Sequence, residues 1–124
     1  MDSDSAHEVI RFLLAVADAD GTRDSGEVRL VDKVGEALGL SDDVRQALAQ
    51  SRSSWEPKCL ASLGLDPADS RLVISLGLQV AHADGQYSAA ERELIARSAG
   101  HLGLGEHVLL VVEQEVANEA AARR

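Results

Sequence analysis

Ala17-Asp18-Ala19-Asp20-Gly21-Thr22-Arg23-Asp24-Ser25-Gly26-Glu27 returns 64 residues later as Ala81-His82-Ala83-Asp84-Gly85-Gln86-Tyr87-Ser88-Ala89-Ala90-Glu91. Each copy reads Ala-x-Ala-Asp-Gly, with a Glu six residues after the Gly. The register extends both ways: Leu14 pairs with Leu78, Val16 with Val80 and Leu30 with Leu94. Leu38-Gly39-Leu40 pairs with Leu102-Gly103-Leu104, and Val44 with Val108. No gap is needed from Arg11 to Leu48. The period exceeds that of solenoid repeats. It implies an internal duplication, giving one domain over 1–124 with pseudo-symmetric halves at about 5–64 and 65–122.

Local chemistry predicts an all-α fold of about seven helices. Ser5 and Glu8 fit a capping box, and Val9, Phe12, Leu13, Val16 and Ala17 follow at helical spacing. That helix is expected to end near Asp20, with Gly21 in the left-handed position. Asp24 opens a second helix, striped by Val28, Leu30, Val31, Val34 and Leu38 and stopped at Gly39. Ser41-Asp42-Asp43 opens a third, with Val44, Ala47 and Leu48 facing inward. Ser51-Arg52-Ser53-Ser54 reads as a linker, with Ser54 capping a short fourth helix that has Pro57 in its first turn. Trp55, Cys59, Leu60 and Leu63 are expected to pack inward.

The fifth helix is expected from Pro67 to about Asp84, ending at Gly85. Leu72, Ile74, Leu76, Leu78 and Val80 make it apolar nearly all round, hence central. Gly77 within it permits a close crossing. Ser88 and Glu91 form a second capping box opening the sixth helix, which uses Leu94, Ile95, Ser98 and Leu102. The seventh runs from about Glu106 past Glu119, burying Val108, Leu109, Val111, Val112 and Val116, and Ala120–Arg124 frays. No segment alternates as a strand does.

Composition narrows function. Hydrophobic residues are 45% of the chain, enough for a core. The formal net charge of −9 argues against nucleic acid and anionic membrane surfaces, and suits a cation or a basic partner. Cys59 is the single cysteine, which excludes an intrachain disulfide and a cysteine-based zinc site. No apolar run is long enough to insert in a membrane, and Met1–Glu8 does not read as a signal peptide, so a cytoplasmic location is expected. His7, His82, His101 and His107 are scattered without metal-ligand spacing. There is no nucleophile elbow and no phosphate loop.

The carboxylates of the repeated corner remain. Asp24 and Glu27 lie one helical turn apart and reach one point. With Asp20 they form a set of hard oxygen ligands suited to Ca²⁺, Mg²⁺ or Mn²⁺. Position twelve counted from Asp18 is Arg29, and from Asp20 is Val31, so this is not an EF-hand. The same residues also suit capping and turn chemistry alone.

Two Ala-x-Ala-Asp-Gly copies in register, each with its Glu and Leu-Gly-Leu, resemble the TerB-like family over nearly the whole chain. That family is named for a tellurite-resistance protein, and related domains occur in membrane-bound DnaJ-like co-chaperones. The resemblance implies an all-helical bundle of two pseudo-equivalent halves, acting in stress response and membrane-linked complexes. It implies divalent-cation binding by Asp20, Asp24 and Glu27 in the first copy and Asp84 and Glu91 in the second. The second copy departs from the pattern, with Ser88 in the place of Asp24 and His82 in that of Asp18, so the first is the favoured cation site. No J-domain follows, so a co-chaperone role does not carry over. The expectation is a non-enzymatic interaction module with a protein partner, homo-oligomerisation being left open. A plain scaffold without metal and a metal-dependent hydrolase are the competing classes.

Overall fold

The computed structural model of the chain describes residues 2–19, 21, 24–50, 55–83 and 87–122. Among them are seven helices and no strand: α1 (Ser3–Asp18), α2 (Ser25–Ala37), α3 (Asp42–Gln50), α4 (Lys58–Ala61), α5 (Pro67–His82), α6 (Ala89–His101) and α7 (Glu106–Ala122). α1 and α5 are offset by 64 residues at both ends, as are α2 and α6, and α3 and α7 at their starts.

The N-termini show why the helices begin where they do. Asp2 caps α1 by accepting from the Ser5 amide at 2.8 Å, and Asp66 caps α5 by accepting from the Asp69 amide at 2.7 Å. Pro67 follows Asp66 in the first turn, where a missing N–H costs nothing. The expected cap at Ser5 is therefore corrected by one turn. Ser5 lies inside the helix and is buried, while Glu8 accepts from the Trp55 indole N–H at 3.2 Å and pairs with Arg11 at 2.6 Å. α4 has Pro57 at its N-cap and no side-chain cap, and Ser54 lies outside the described residues.

α5 is the hub, packing on α1, α2, α6 and α7. Val73, Ile74, Gly77, Leu78, Val80 and Ala81 are its buried residues alongside Ser70. At Gly77 α1 comes close. A Cβ there would lie 2.7 and 2.8 Å from two ring carbons of buried Phe12. Phe12 in turn rests on Trp55, with ring centroids 5.6 Å apart.

Several inward expectations are corrected. Leu72 and Val111 are exposed, as is Ala47. α7 buries one stripe, Leu109, Val112 and Val116, whose three- and four-residue spacing covers a single face. Val111 falls off that face, and Leu72 falls on the side of α5 that no neighbouring helix covers. The end of α7 stays helical to Ala122, instead of fraying from Ala120. Ile95 and Ser98 are buried as expected, and Trp55, Cys59 and Leu63 are half-buried beside fully buried Leu60.

α2 packs on α1 and α3 and also on α5; α6 packs on α5 and α7 and also on α1. The second helix of each half thus touches the first helix of the other, which brings the start of α2 beside the end of α5.

Candidate functional site

At the first corner α1 ends at Asp18, and the Ala19 amide donates to the Val16 carbonyl at 3.2 Å. Gly21 takes φ +89°, and its N–H donates to the Asp18 carbonyl at 2.9 Å. That left-handed turn is open to glycine at little cost. The chain then re-enters a helix at Asp24, whose Oδ2 accepts from the Gly26 amide at 2.9 Å. Glu27 closes the capping box, its Oε1 accepting from the Asp24 amide at 3.2 Å.

Among the described residues, the helix end and the capping box of the second corner match those of the first with different atoms. The Ala83 amide donates to the Val80 carbonyl at 3.1 Å. Ser88 Oγ accepts from the Glu91 amide at 3.1 Å, and Glu91 Oε1 accepts from the Ser88 amide at 2.8 Å. The corners meet where a Cβ on Gly26 would lie 3.6 Å from the Ala83 carbonyl oxygen.

Burial is what the sequence did not disclose. Capping glutamates are ordinarily solvated, yet Glu27 and Glu91 are both 0% exposed. Both present negative charge to a helix N-terminus, the favourable end of the macrodipole. Glu91 Oε2 is buried with no hydrogen-bond partner among the described residues. An unsatisfied buried acceptor costs on the order of 1–3 kcal/mol, more if charged.

Of the five candidate ligands, Asp24, Glu27 and Glu91 are brought to the two adjoining corners. Asp20 and Asp84 lie outside the described residues, as does Gly85. Among the described residues no group of three or more His, Cys, Asp or Glu side chains is placed to hold a metal. The donor set fits a hard cation in kind, since every member is a carboxylate, and the orphaned Glu91 oxygen is a free acceptor beside it.

A polar latch at the second corner escaped the sequence reading. The Tyr87 hydroxyl donates to Glu113 Oε2 at 2.8 Å, and Arg92 Nε pairs with the same oxygen at 3.2 Å. The His82 ring lies on Tyr87, with centroids 4.8 Å apart. Burial, then the hydrogen bond and charge of Glu113, push the Tyr87 pKa above its ordinary value. The latch ties the corner to α7. Tyr87 is the chain's one tyrosine, and its place beside the repeated motif was the available signal.

No helix among the described residues is long and apolar enough to cross a membrane. No curated protein matches the chain. A solved structure does: a tellurite resistance protein from Nostoc punctiforme PCC 73102, 23% identical, with a TM-score of 0.74. The match covers 99% of this chain and 78% of that one, and at this identity it speaks for the fold. A family model described as Tellurite resistance protein TerB matches residues 1–50 and 60–110, which span both corners and run into the first turn of α7. With the seven-helix architecture and the paired corners, this places the chain in the TerB tellurite-resistance family.

Proposed function

We propose that the chain is a non-catalytic helical module that takes a divalent cation at its Asp-Gly corners and acts through protein partners in stress response. One observation carries the reading: the buried Glu91 carboxylate, with one oxygen on the Ser88 amide and the other without a partner among the described residues. A cation offsets such a charge, and Ca²⁺, Mg²⁺ and Mn²⁺ accept all-carboxylate sites. Asp20, Asp24 and Glu27 would hold it at the first corner, Asp84 and Glu91 at the second. The ion supplies positive charge that ties a loop to a helix end. Ligand charge count favours the first corner.

The non-catalytic part rests on how the hydroxyls are engaged. Ser98 Oγ donates to the Leu94 carbonyl, Ser62 Oγ to the Cys59 carbonyl and Tyr87 to Glu113. We also read the halves as copies of one ancestral unit, supported by the shared 64-residue offset of their helix boundaries.

Thermal melting with millimolar Ca²⁺ or Mg²⁺ against chelator, at matched ionic strength, tests the cation. At ~100-fold excess over Kd the gain is about 2.7 kcal/mol. With an unfolding entropy of roughly 0.26 kcal/mol/K for this chain length, that raises Tm by about 10 °C. Asp24→Asn is expected to remove most of the response and Glu91→Gln the remainder. Identical melts of the wild type with cation and with chelator would reject the cation.

A further inference from the structure

A groove of about 540 Å³ lies between α1, α2 and α3. Ile10 and Leu14 from α1, Val28 from α2 and Ala49 from α3 line it, together with Arg29, Asp32 and the largely buried Arg45. The second half explains why it is open. Stepping by the 64-residue offset, Val28 corresponds to Arg92 and Ala49 to Glu113, the two residues whose ion pair joins α6 to α7. Arg45 corresponds to Leu109, which α7 buries, and Arg29 to Glu93. The position filled by a polar latch in one half is thus lined by small apolar side chains in the other.

Size decides what kind of ligand fits. One turn of an α-helix, about 10 Å across and 5.4 Å long, occupies roughly 420 Å³. The groove accepts little more than one such turn, too little for a partner helix to dock along it. It falls within the range of small-molecule sites, which are mostly apolar with a few polar groups. Its arginines supply those groups. Arg45 is committed to Asp32 at 3.0 Å, Asp42 at 2.7 Å and the Leu40 carbonyl at 2.7 Å. Arg29 is exposed and forms no ion pair among the described residues. A largely apolar trough lined by an exposed guanidinium with no ion pair among the described residues complements an alkyl chain ending in an anion.

We propose that the α1–α2–α3 groove binds a medium-chain alkyl carboxylate, its chain along Ile10, Leu14, Val28 and Ala49 and its head on Arg29. Octanoate, decanoate and dodecanoate, titrated calorimetrically below micelle formation into the full chain, test it. Each added methylene is expected to tighten binding about fourfold until the groove is full. Arg29→Glu, which installs the residue of the second half, weakens carboxylate binding at least tenfold and leaves binding of the matching alkyl alcohol unchanged. Val28→Arg with Ala49→Glu transplants the latch and abolishes binding of both. Arg29 is exposed, so its variant keeps the test valid if the double variant fails to fold. No binding of any carboxylate, affinity independent of chain length, or equal affinity in Arg29→Glu overturns the proposal. A transplant that changes sedimentation while carboxylate binding persists also overturns it, in favour of a protein surface.

Discussion

Gly77→Ala adds one methyl group where Phe12 of α1 presses on α5. Two opposed effects follow. Alanine in place of helical glycine gains up to ~1 kcal/mol through chain entropy and helix propensity. The methyl carbon, however, would sit 2.7 and 2.8 Å from two Phe12 ring carbons, against an ordinary contact of about 3.5–4.0 Å. Phe12 is fully buried and backed by Trp55, so its ring has nowhere to retreat without moving α1. Overpacking of this kind costs about 1–3 kcal/mol, and an overlap this deep belongs at the upper end. The net expectation is a loss of about 1–2 kcal/mol, or roughly 4–8 °C in Tm for a chain of this length. Gly100→Ala is the control. It is also helical, nothing lies within 4 Å of its Cβ, and it is expected to raise Tm slightly. Calorimetry on both variants, and on Gly77→Ala combined with Phe12→Leu, reads the effect directly. The double variant is expected to lose less than the sum of its singles, because leucine vacates the contested space. Gly77→Ala melting at or above the wild type would refute the close crossing.

Ser88→Ala removes the hydroxyl that caps α6 and is expected to cost about 1 kcal/mol, near 4 °C by thermal melting, while leaving any cation response intact. Tyr87→Phe deletes the hydrogen bond to Glu113 and is expected to cost about 1–2 kcal/mol in denaturant titration. The raised Tyr87 pKa also sets a pH signature. Above pH 10 the unfolded chain releases the phenol proton while the folded chain keeps it, so stability falls with rising pH, and less steeply in Tyr87→Phe. Equal slopes for the two proteins would contradict that. Screens with phosphatase, esterase and peptidase substrates are expected to show no turnover above a mock preparation; a signal lost in Glu27→Gln would point to hydrolase chemistry.

What was legible in the sequence was mostly local. Asp24 with Glu27, and Ser88 with Glu91, identified two helix starts, because a capping box is written in four consecutive residues. Gly77 was legible as a crossing because it is the one residue of that helix without a side chain. At the first helix Ser5 with Glu8 read as a capping box, whereas the helix is capped one turn earlier by Asp2. Tertiary structure decided, since Trp55, 47 residues away, takes the Glu8 carboxylate. Leu72 and Val111 were misplaced because period alone does not say where neighbouring helices stop. The site was legible as a set of carboxylates. The burial of Glu27 and Glu91 was not, since it depends on the packing of α2 on α5 and of α6 on α1. The groove needed a comparison in side-chain volume of positions 64 residues apart, Val28 against Arg92 and Ala49 against Glu113, where matching identities alone passes over it.

The crossed packing, α2 on α5 and α6 on α1, has a consequence for how the chain opens. Two bundles set side by side would show two tiers of amide protection, each melting on its own. Here the second helix of each half is clamped by the first helix of the other, so loosening either uncovers apolar surface on both. The slowest-exchanging amides of α1 and α5 then belong to one cooperative unit, exposed together at the free energy of global unfolding. Anything that grips one corner is felt as protection across both.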